Sequence, residues 1–309
     1  MQSLNPISFI FAEKRSMQII PYLIIYPILW LISILPFKLL YLLSDFIFVI
    51  MYYVIGYRKK VVRDNIKLAL PNLSKEERLF IEKESYRHLC DMFLEMIKTM
   101  SISDEQIKER FQFTNLATYL ELEKQGKSIA LMCAHYASYE WVISMNKYIH
   151  YQGYAIYKRI NNKYFDTLVQ KIRKKFKAEL IHNREASARI EANESQGKKC
   201  VYGFASDQSP QVKNKTHWDV FMGIEVPVYT GAEFISKKYD MNMIYLKVKK
   251  VKRGYYEATF EVLSENVKSV PDYQITRAFL DKVEQQIREA PQYYLWTHKR
   301  WKHKGKNKN

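Results

Sequence analysis

The sequence predicts an α/β domain, in which helices flank a mostly parallel mixed sheet, preceded by an N-terminal helical segment that anchors it in a membrane. Residues 17–36 carry no charged side chain, and this run approaches the length that an α-helix needs to cross hydrocarbon. From residue 127 onward, short apolar runs alternate with helical patterns, which indicates strands connected by helices. With 309 residues, 48% of them hydrophobic, the chain can bury a core and is too apolar to be disordered.

We predict that the N-terminal segment comprises residues 1–56. A second apolar stretch, over residues 39–57, is interrupted only by Asp45 and ends one residue beyond this segment. The whole segment is too long and too aromatic for a secretory signal peptide. We favour a single membrane anchor over a hairpin that dips into one leaflet; a very apolar helix pair in a soluble core is the third alternative. The flanking cations predict that the rest of the chain lies in the cytoplasm, because those that follow (Arg58, Lys59, Lys60 and Arg63) outnumber those that precede (Lys14 and Arg15).

Two helices are predicted between the anchor and the sheet. Residues 57–73 form a basic amphipathic pattern that ends at Pro71. Ser74 and Glu77 have the spacing of a capping box, in which each side chain accepts a hydrogen bond from a backbone amide of the other residue. The apolar spacing that follows predicts a helix up to Met100.

The predicted sheet begins with residues 128–134, a fully apolar run that is typical of a strand buried on both faces. The last two strand candidates predict an antiparallel pair. We predict one domain over residues 57–300 and a basic, flexible tail over residues 301–309. The other strand candidates are 154–158, 178–182, 199–205, 243–250 and 255–263, and helical patterns lie at 138–150, 164–177, 184–196, 230–239 and 273–289.

Composition restricts the partners and the chemistry. The 49 Lys and Arg residues against 32 Asp and Glu residues give a net charge of +17, which favours an anionic partner such as phosphate headgroups, nucleic acid or an acidic protein. The three cysteines, Cys90, Cys133 and Cys200, form no C-x-x-C pair. They therefore argue against a disulfide framework and against a Cys-rich zinc site, and they fit a reducing compartment.

The candidate catalytic residues are His135 and Glu140. His135 follows a predicted buried strand, and ligand and catalytic groups of open α/β sheets gather at such carboxyl ends. On a regular helix the two side chains would point about 140° apart. They converge if His135 lies in a turn and Glu140 in the first helical turn, with Ser138 as a possible N-cap. Glu140 would then bind one imidazole nitrogen and leave the other as a general base. The spacing alone also fits a purely structural pair.

Several blocks occur in order along nearly the whole chain. They are Tyr57-Arg58-Lys59 with Asn65-Ile66 and Leu70-Pro71; His135-x4-Glu140; Phe204-Ala-Ser-Asp207-Gln208; Phe221-Met-Gly223 with Pro227, Thr230 and Gly231; and Pro291 to Lys302, which includes Trp296, His298 and Arg300. This set resembles the signatures of the bacterial lipid A biosynthesis acyltransferases (lauroyl and myristoyl transferases), a branch of the lysophospholipid acyltransferase superfamily. The resemblance implies a glycerolipid acyltransferase-like fold.

The resemblance also implies a reaction, in which a fatty acyl chain passes from an acyl-carrier-protein thioester to a hydroxyl of a lipid A precursor. An alcohol needs a base near neutral pH, and we expect His135 to be that base, with Glu140 holding its tautomer. No cysteine is suitably placed for an acyl-enzyme, so we expect direct transfer in a ternary complex. The alternatives are the same chemistry on a lysophospholipid, aminolipid or glycosyl lipid, and a non-enzymatic basic membrane tether.

The substrate-binding residues are expected from the same resemblance. Lys158 or Arg159 would take a basic role where the family usually has Arg, Arg184 matches another basic position, and Asp207 follows a second buried strand. We expect no metal and no cofactor, since no second-His motif supports zinc. The run 171–177 holds five cations that could dock acidic acyl carrier protein. The other expected partner is an anionic lipid acceptor in the inner membrane, with the catalytic domain on its cytoplasmic side; no nucleic-acid motif is recognisable.

Overall fold

The computed structural model describes the backbone of residues 6–307 and the side chains of residues 19–307. Lys14 and Arg15, on which the predicted orientation partly depends, therefore lie outside the described side chains. The first five residues of the predicted anchor and the last two of the predicted tail lie outside the described chain.

The described chain begins with four α-helices. Helix α1 (Pro6–Ile34) and helix α2 (Phe37–Val49) are separated by two residues, and α2 continues as a π-helix over Ile50–Ile55. Among the described residues, Phe37–Ile55 is the one helix that is long and apolar enough to cross a membrane by these two criteria. Helices α3 (Lys59–Ala69) and α4 (Lys75–Lys98) follow.

Helix α4 begins with the predicted capping box. The backbone N–H of Glu77 donates to Ser74 Oγ at 3.1 Å, and the backbone N–H of Ser74 donates to Glu77 Oε2 at 2.7 Å. Two amides that the helix itself leaves without acceptors are thereby satisfied. The start of α4 was thus predictable from two residues at the right spacing.

The described part of the chain contains nine strands. They are β1 (Phe111–Phe113), β2 (Ile129–Cys133), β3 (Gln152–Tyr157), β4 (Glu179–His182), β5 (Cys200–Ala205), β6 (Trp218–Phe221), β7 (Ile224–Pro227), β8 (Asn242–Lys252) and β9 (Tyr255–Ser264). Seven form one sheet in the order β1-β9-β8-β2-β5-β3-β4, and β6 and β7 form a separate antiparallel hairpin. All neighbours in the large sheet are parallel except β8 and β9. The predicted mixed sheet with a late antiparallel pair is confirmed.

Helices cover this sheet, and the core lies between them and the strands. They are α5 (Asp104–Arg110), α6 (Leu116–Lys124), α7 (Lys163–Arg173), α8 (Ala186–Ser195), α9 (Gly231–Tyr239) and α10 (Gln274–Glu289). The first four residues of β2 are buried, as the apolar run predicted. Cys200, at the start of the neighbouring β5, is also buried.

One predicted helix is wrong. The segment 138–150 forms only a short 3₁₀-helix over Trp141–Lys147. Ala137, just before it, has a φ of 47°, in the left-handed region that non-glycine residues rarely adopt. The chain therefore leaves β2 through a tight turn rather than directly into a helix, and this turn decides where the predicted catalytic residues point.

Candidate active site

His135 and Asp207 meet at the carboxyl ends of two neighbouring parallel strands. Strands β2 and β5 pair in register, with Cys133 opposite Ala205, so the residues two positions beyond each strand end face each other. His135 Nδ1 lies 2.7 Å from Asp207 Oδ1, and the backbone N–H of His135 donates to the same oxygen at 3.1 Å. The sheet itself thus aligns the pair.

The prediction that Glu140 forms a hydrogen bond with His135 is wrong. The Glu140 carboxylate instead accepts two hydrogen bonds from the guanidinium of Arg173, the last residue of α7, at 2.9 Å from Nε and 2.6 Å from Nη2. The left-handed turn at Ala137 sends the chain away before the 3₁₀-helix begins, so Glu140 faces α7 rather than the imidazole. Such two-pronged pairs fix both partners firmly.

The charges of the His135–Asp207 pair stabilise each other. Burial lowers the pKa of His135, but the Asp207 carboxylate outweighs this effect and raises it above its ordinary value. Burial raises the pKa of Asp207, but the charge and hydrogen bonds of His135 bring it below its ordinary value. Because Asp207 binds Nδ1, Nε2 is the imidazole nitrogen left for a substrate proton. Tyr139 supports the ring from one side, with its own ring edge-on at 5.0 Å between centroids.

A cavity of about 850 Å³ opens beside His135. This volume lies within the range of pockets that enclose small-molecule ligands. Apolar side chains from β2, β3, β5, α8 and α9 dominate its lining, among them Leu131, Ile156, Ile190, Phe204 and Ile235. The pocket can therefore enclose a long apolar group next to the His135 imidazole.

A few polar side chains also reach this cavity. Glu140 and Arg173 line it beside His135, and Lys158 and Lys238 line it as well. Arg159 pairs with Glu185 at 3.1 Å, and the cavity lining includes Lys158 rather than Arg159. Of the two residues between which the sequence left the choice open, Lys158 is the one at the cavity. Arg184 is exposed and does not contribute to the lining.

The C-terminal segment holds the turn that carries His135. The backbone N–H of Ala137 donates to the carbonyl of Tyr293 at 2.9 Å, and that of Leu295 donates to the carbonyl of His135 at 3.1 Å. The hydroxyl of Tyr136 donates to the carbonyl of Ala290 at 2.7 Å. These bonds fix a strained turn that would otherwise relax.

The same segment steadies the loop that carries Asp207. Burial lowers the pKa of His298 to about 4, so its imidazole stays neutral. His298 Nε2 accepts a hydrogen bond from the backbone N–H of Ser209, two residues beyond Asp207, at 3.1 Å. Asn65 of α3 in turn donates from Nδ2 to the carbonyls of Trp296 and His298, at 2.8 and 2.7 Å. The first and last signature blocks are thus in direct contact.

Neither a thiol nor a metal cluster adds to this site. Cys133 lies on β2 beside the cavity, where burial raises the pKa of its thiol to about 12, so it is protonated near neutral pH and a poor nucleophile. Within the described residues, no group of three or more His, Cys, Asp or Glu side chains is placed to hold a metal ion.

Comparison with known proteins agrees with the family resemblance that the sequence blocks indicate. The profile of a family described as bacterial lipid A biosynthesis acyltransferase matches residues 11–303. The chain is 23% identical over 280 residues to the lipid A biosynthesis palmitoleoyltransferase of Escherichia coli (strain K12) and to a lipid A biosynthesis acyltransferase of Shigella flexneri, with 89% of each chain covered. It is 20% identical over 277 residues to the lipid A biosynthesis lauroyltransferase of Escherichia coli (strain K12), again with 89% of each chain covered.

Proposed function

Because the chain belongs to the family of bacterial lipid A biosynthesis acyltransferases and is therefore an acyltransferase, we propose that His135 is the general base that activates its acceptor hydroxyl. The acyl donor in this proposal is the thioester of acyl carrier protein, and the acceptor is a lipid A precursor. The observation that carries the proposal is the buried His135–Asp207 pair at the edge of a large apolar cavity.

The proposed proton transfers use both members of the pair. His135 Nε2 removes the proton of the acceptor hydroxyl as the oxygen attacks the thioester carbonyl, and Asp207 stabilises the imidazolium that forms. The tetrahedral intermediate then expels the carrier thiolate, which takes the proton from Nε2. The products are an ester and a free thiol, and His135 returns to its neutral state. The protonated Cys133 supports direct transfer rather than an acyl-enzyme.

Glu140 has a positioning role in this scheme. Its two hydrogen bonds hold Arg173 at the cavity, where the guanidinium can stabilise negative charge. A fixed cation near the developing oxyanion lowers the barrier because it needs no reorganisation during the reaction. Lys158 and Lys238, which also line the cavity, are proposed to bind phosphate groups of a substrate.

Acyl carrier protein is proposed to dock on the basic run 171–177. Arg173 is bound to Glu140, and Lys175 Nζ donates to the carbonyl of Ile102 at 2.6 Å, so these two cations are engaged within the chain. Lys171, Lys174 and Lys177 are exposed at the same end of α7 and the turn beyond it. An acidic carrier would be steered toward these three cations and so toward the cavity.

The proposed localisation is the inner membrane, with the catalytic domain on the cytoplasmic side. The support is the dense cation cluster that follows the apolar helices and the membrane lipid that serves as the proposed acceptor. Membership of an enzyme family sets aside the alternative of a non-enzymatic tether.

The base is tested by acyl transfer with the purified full-length chain, acyl carrier protein charged with a fatty acid, and lipid A precursor, with the product measured by mass spectrometry. His135→Ala should abolish transfer, while carrier binding and thermal unfolding remain unchanged. His150→Ala is the matched control, because His150 also pairs through Nδ1 with a carboxylate, Glu123 at 2.8 Å, but is largely exposed. Transfer by His135→Ala at the rate of the control would refute the proposal.

The acceptor is tested separately. Total lipids from cells with and without the gene are compared by mass spectrometry, and the species that loses one acyl group identifies the acceptor. Loss of an acyl chain from lipid A supports the proposal. Loss from a phospholipid, aminolipid or glycosyl lipid would keep the chemistry and replace the acceptor.

A further inference from the structure

The helix over Phe37–Ile55 has two unlike faces. Four large apolar side chains form a stripe along one face of α2, Leu39, Leu42, Phe46 and Val49, and each is between 48% and 66% exposed. Their spacing of three and four residues places them on one side of a helix. The opposite side is buried. By length and composition this helix could cross a membrane, but composition says nothing of what its buried side contacts.

The buried side of α2 is joined to α4 by polar contacts. Ser44 Oγ donates to Asp91 Oδ1 at 2.7 Å, and Tyr41 donates from its hydroxyl to Glu95 Oε1 at 2.8 Å. At the far end, the hydroxyl of Tyr52 donates to Glu82 Oε1 at 2.9 Å. Helix α2 and its π-helical extension are thus bound to α4 along most of their length.

An ion-pair network strengthens this junction. Arg253, in the turn between β8 and β9, pairs with Asp45 of α2 at 2.8 Å and with Asp91 of α4 at 2.7 Å. Lys250 of β8 also lies 3.4 Å from Asp91. The sheet, α4 and α2 therefore share one set of charges.

These contacts are incompatible with a membrane-crossing helix. If α2 crossed the bilayer as part of the body, α4 would carry Glu82, Asp91 and Glu95 into hydrocarbon, together with Arg253 of the sheet. Charged side chains at that depth are strongly disfavoured. If α2 crossed alone, those carboxylates would lose the partners that satisfy them.

The charges around the stripe fit an anionic lipid surface. Lys38 is exposed at the start of α2, and Arg58 and Lys60 are exposed just beyond its end. Cations at both ends of an apolar face are typical of a helix that lies at the level of the headgroups. The apolar surface continues on α1, where Leu23, Ile28 and other side chains are exposed. The junction after α1 is also bound to α4, because Lys98 Nζ donates to the carbonyl of Leu35 at 2.8 Å.

We infer that the helix over Phe37–Ile55 lies in the plane of the membrane, with its buried side on α4 and the Leu39–Leu42–Phe46–Val49 stripe in the acyl chains of one leaflet. It does not cross the bilayer. Residues 38 and 60 then lie on the same side of the membrane. This inference concerns how the body meets the bilayer and does not depend on which acceptor is acylated.

Cysteine labelling tests the sidedness. Lys38→Cys and Lys60→Cys are prepared separately in the full-length chain, reconstituted in vesicles of phosphatidylethanolamine and phosphatidylglycerol, and treated with a membrane-impermeant maleimide from each side. The unsubstituted chain measures the background, because Cys90 and Cys200 are buried and Cys133 is half-buried. Labelling of both positions from the same side is expected. Labelling of position 38 only from the side opposite to position 60 would overturn the inference.

Nitroxide depth measurements test the insertion. Labels are placed singly at positions 39, 42, 46 and 49, with Val262→Cys on β9 as a half-exposed control away from α2. A helix in the plane gives four similar, shallow depths, with more collisions with oxygen than with a water-soluble relaxant. A crossing helix would separate positions 39 and 49 by about 15 Å in depth. That gradient, full access to the water-soluble relaxant, or spin coupling between two copies of the chain would overturn the inference.

Discussion

Replacing Asp207 by Asn removes the negative charge beside His135 and keeps the size of the side chain. Asp207 Oδ1 accepts from both the ring and the backbone of His135. An amide oxygen can take both hydrogen bonds, so the variant should keep the imidazole orientation and the Nδ1–H tautomer. The change therefore tests the electrostatic contribution of the carboxylate, but it also places the amide NH2 group where Oδ2 is buried without a hydrogen-bond partner, so folding must be measured alongside the rate.

The magnitude follows from the distance. The ring nitrogen and carboxylate oxygen are 2.7 Å apart, and two unit charges whose centres lie about 4 Å apart interact by about 4 kcal/mol at an effective dielectric constant near 20. Losing that stabilisation of the imidazolium corresponds to a fall in kcat of about 10³-fold. KM should change little, because Asp207 is fully buried and reaches the substrate only through His135.

The assay is single-turnover acyl transfer from charged acyl carrier protein, followed by mass spectrometry, with thermal unfolding as the check on folding. Glu140→Gln provides the matched control, since it makes the same carboxylate-to-amide change at a residue that contacts Arg173 instead of His135. An Asp207→Asn rate within tenfold of the unsubstituted chain would refute the assignment of Asp207 as the partner of the base.

Four further outcomes are expected. Glu140→Ala should lower kcat about tenfold because it frees Arg173, and added acetate, which can replace the missing carboxylate, should restore part of the rate; a rate equal to the unsubstituted chain would exclude this positioning role. Changing Lys171 and Lys174 to Glu should raise the KM for the charged carrier at low salt, and the difference in KM between the variant and the unsubstituted chain should vanish at high salt. A KM of the unsubstituted chain that is independent of salt would contradict the docking surface. Asn65→Ala should destabilise the chain to urea by about 1–3 kcal/mol, because one buried and one partly buried carbonyl lose a donor. Gly203 lies in a strand that lines the cavity, so Gly203→Val should narrow the cavity and shift the donor preference toward shorter acyl chains. An unchanged preference would mean that the acyl group does not bind in this cavity.

Strand ends were the most predictable part of the site. The apolar runs before His135 and Asp207 marked two buried strands, and parallel strands place the residues beyond their carboxyl ends at one edge of the sheet. His135 and Asp207 are more than seventy positions apart in the sequence, and no motif that contains both indicated that they pair. The shared position after a buried strand was the one available signal.

The role of Glu140 could not be predicted from the sequence because it depends on backbone geometry. A left-handed Ala137 has no sequence signature, since alanine ordinarily favours a helix. Its conformation is held by two hydrogen bonds to a segment more than 150 residues later, in which the Tyr293 carbonyl accepts from the Ala137 N–H and the Leu295 N–H donates to the His135 carbonyl. Arg173 was overlooked for a similar reason, because it stands in a run of exposed cations and only its position at the end of α7 turns it toward Glu140.

Several elements of the fold had too little pattern to be predicted. Strand β1 has three residues, and helices α5 and α6 have seven and nine, which are too short for a clear periodicity. Strands β6 and β7 are joined by Met222 and Gly223, both with positive φ. Gly223 belongs to one of the sequence blocks that carry the family resemblance, and that block did not predict a turn at this position.

The pH dependence of the single-turnover rate tests most directly whether His135 acts as a base beside a carboxylate. As the proposed base, His135 must be neutral, so the rate should fall as the pH drops through the pKa of this residue, which the Asp207 carboxylate raises above its ordinary value despite burial. In Asp207→Asn the carboxylate that raises this pKa is gone, while burial and the opposed charges of Glu140 and Arg173 remain, so the same limb should move to lower pH. A limb at the same pH in both proteins would contradict the assignment, as would undiminished transfer by His135→Ala.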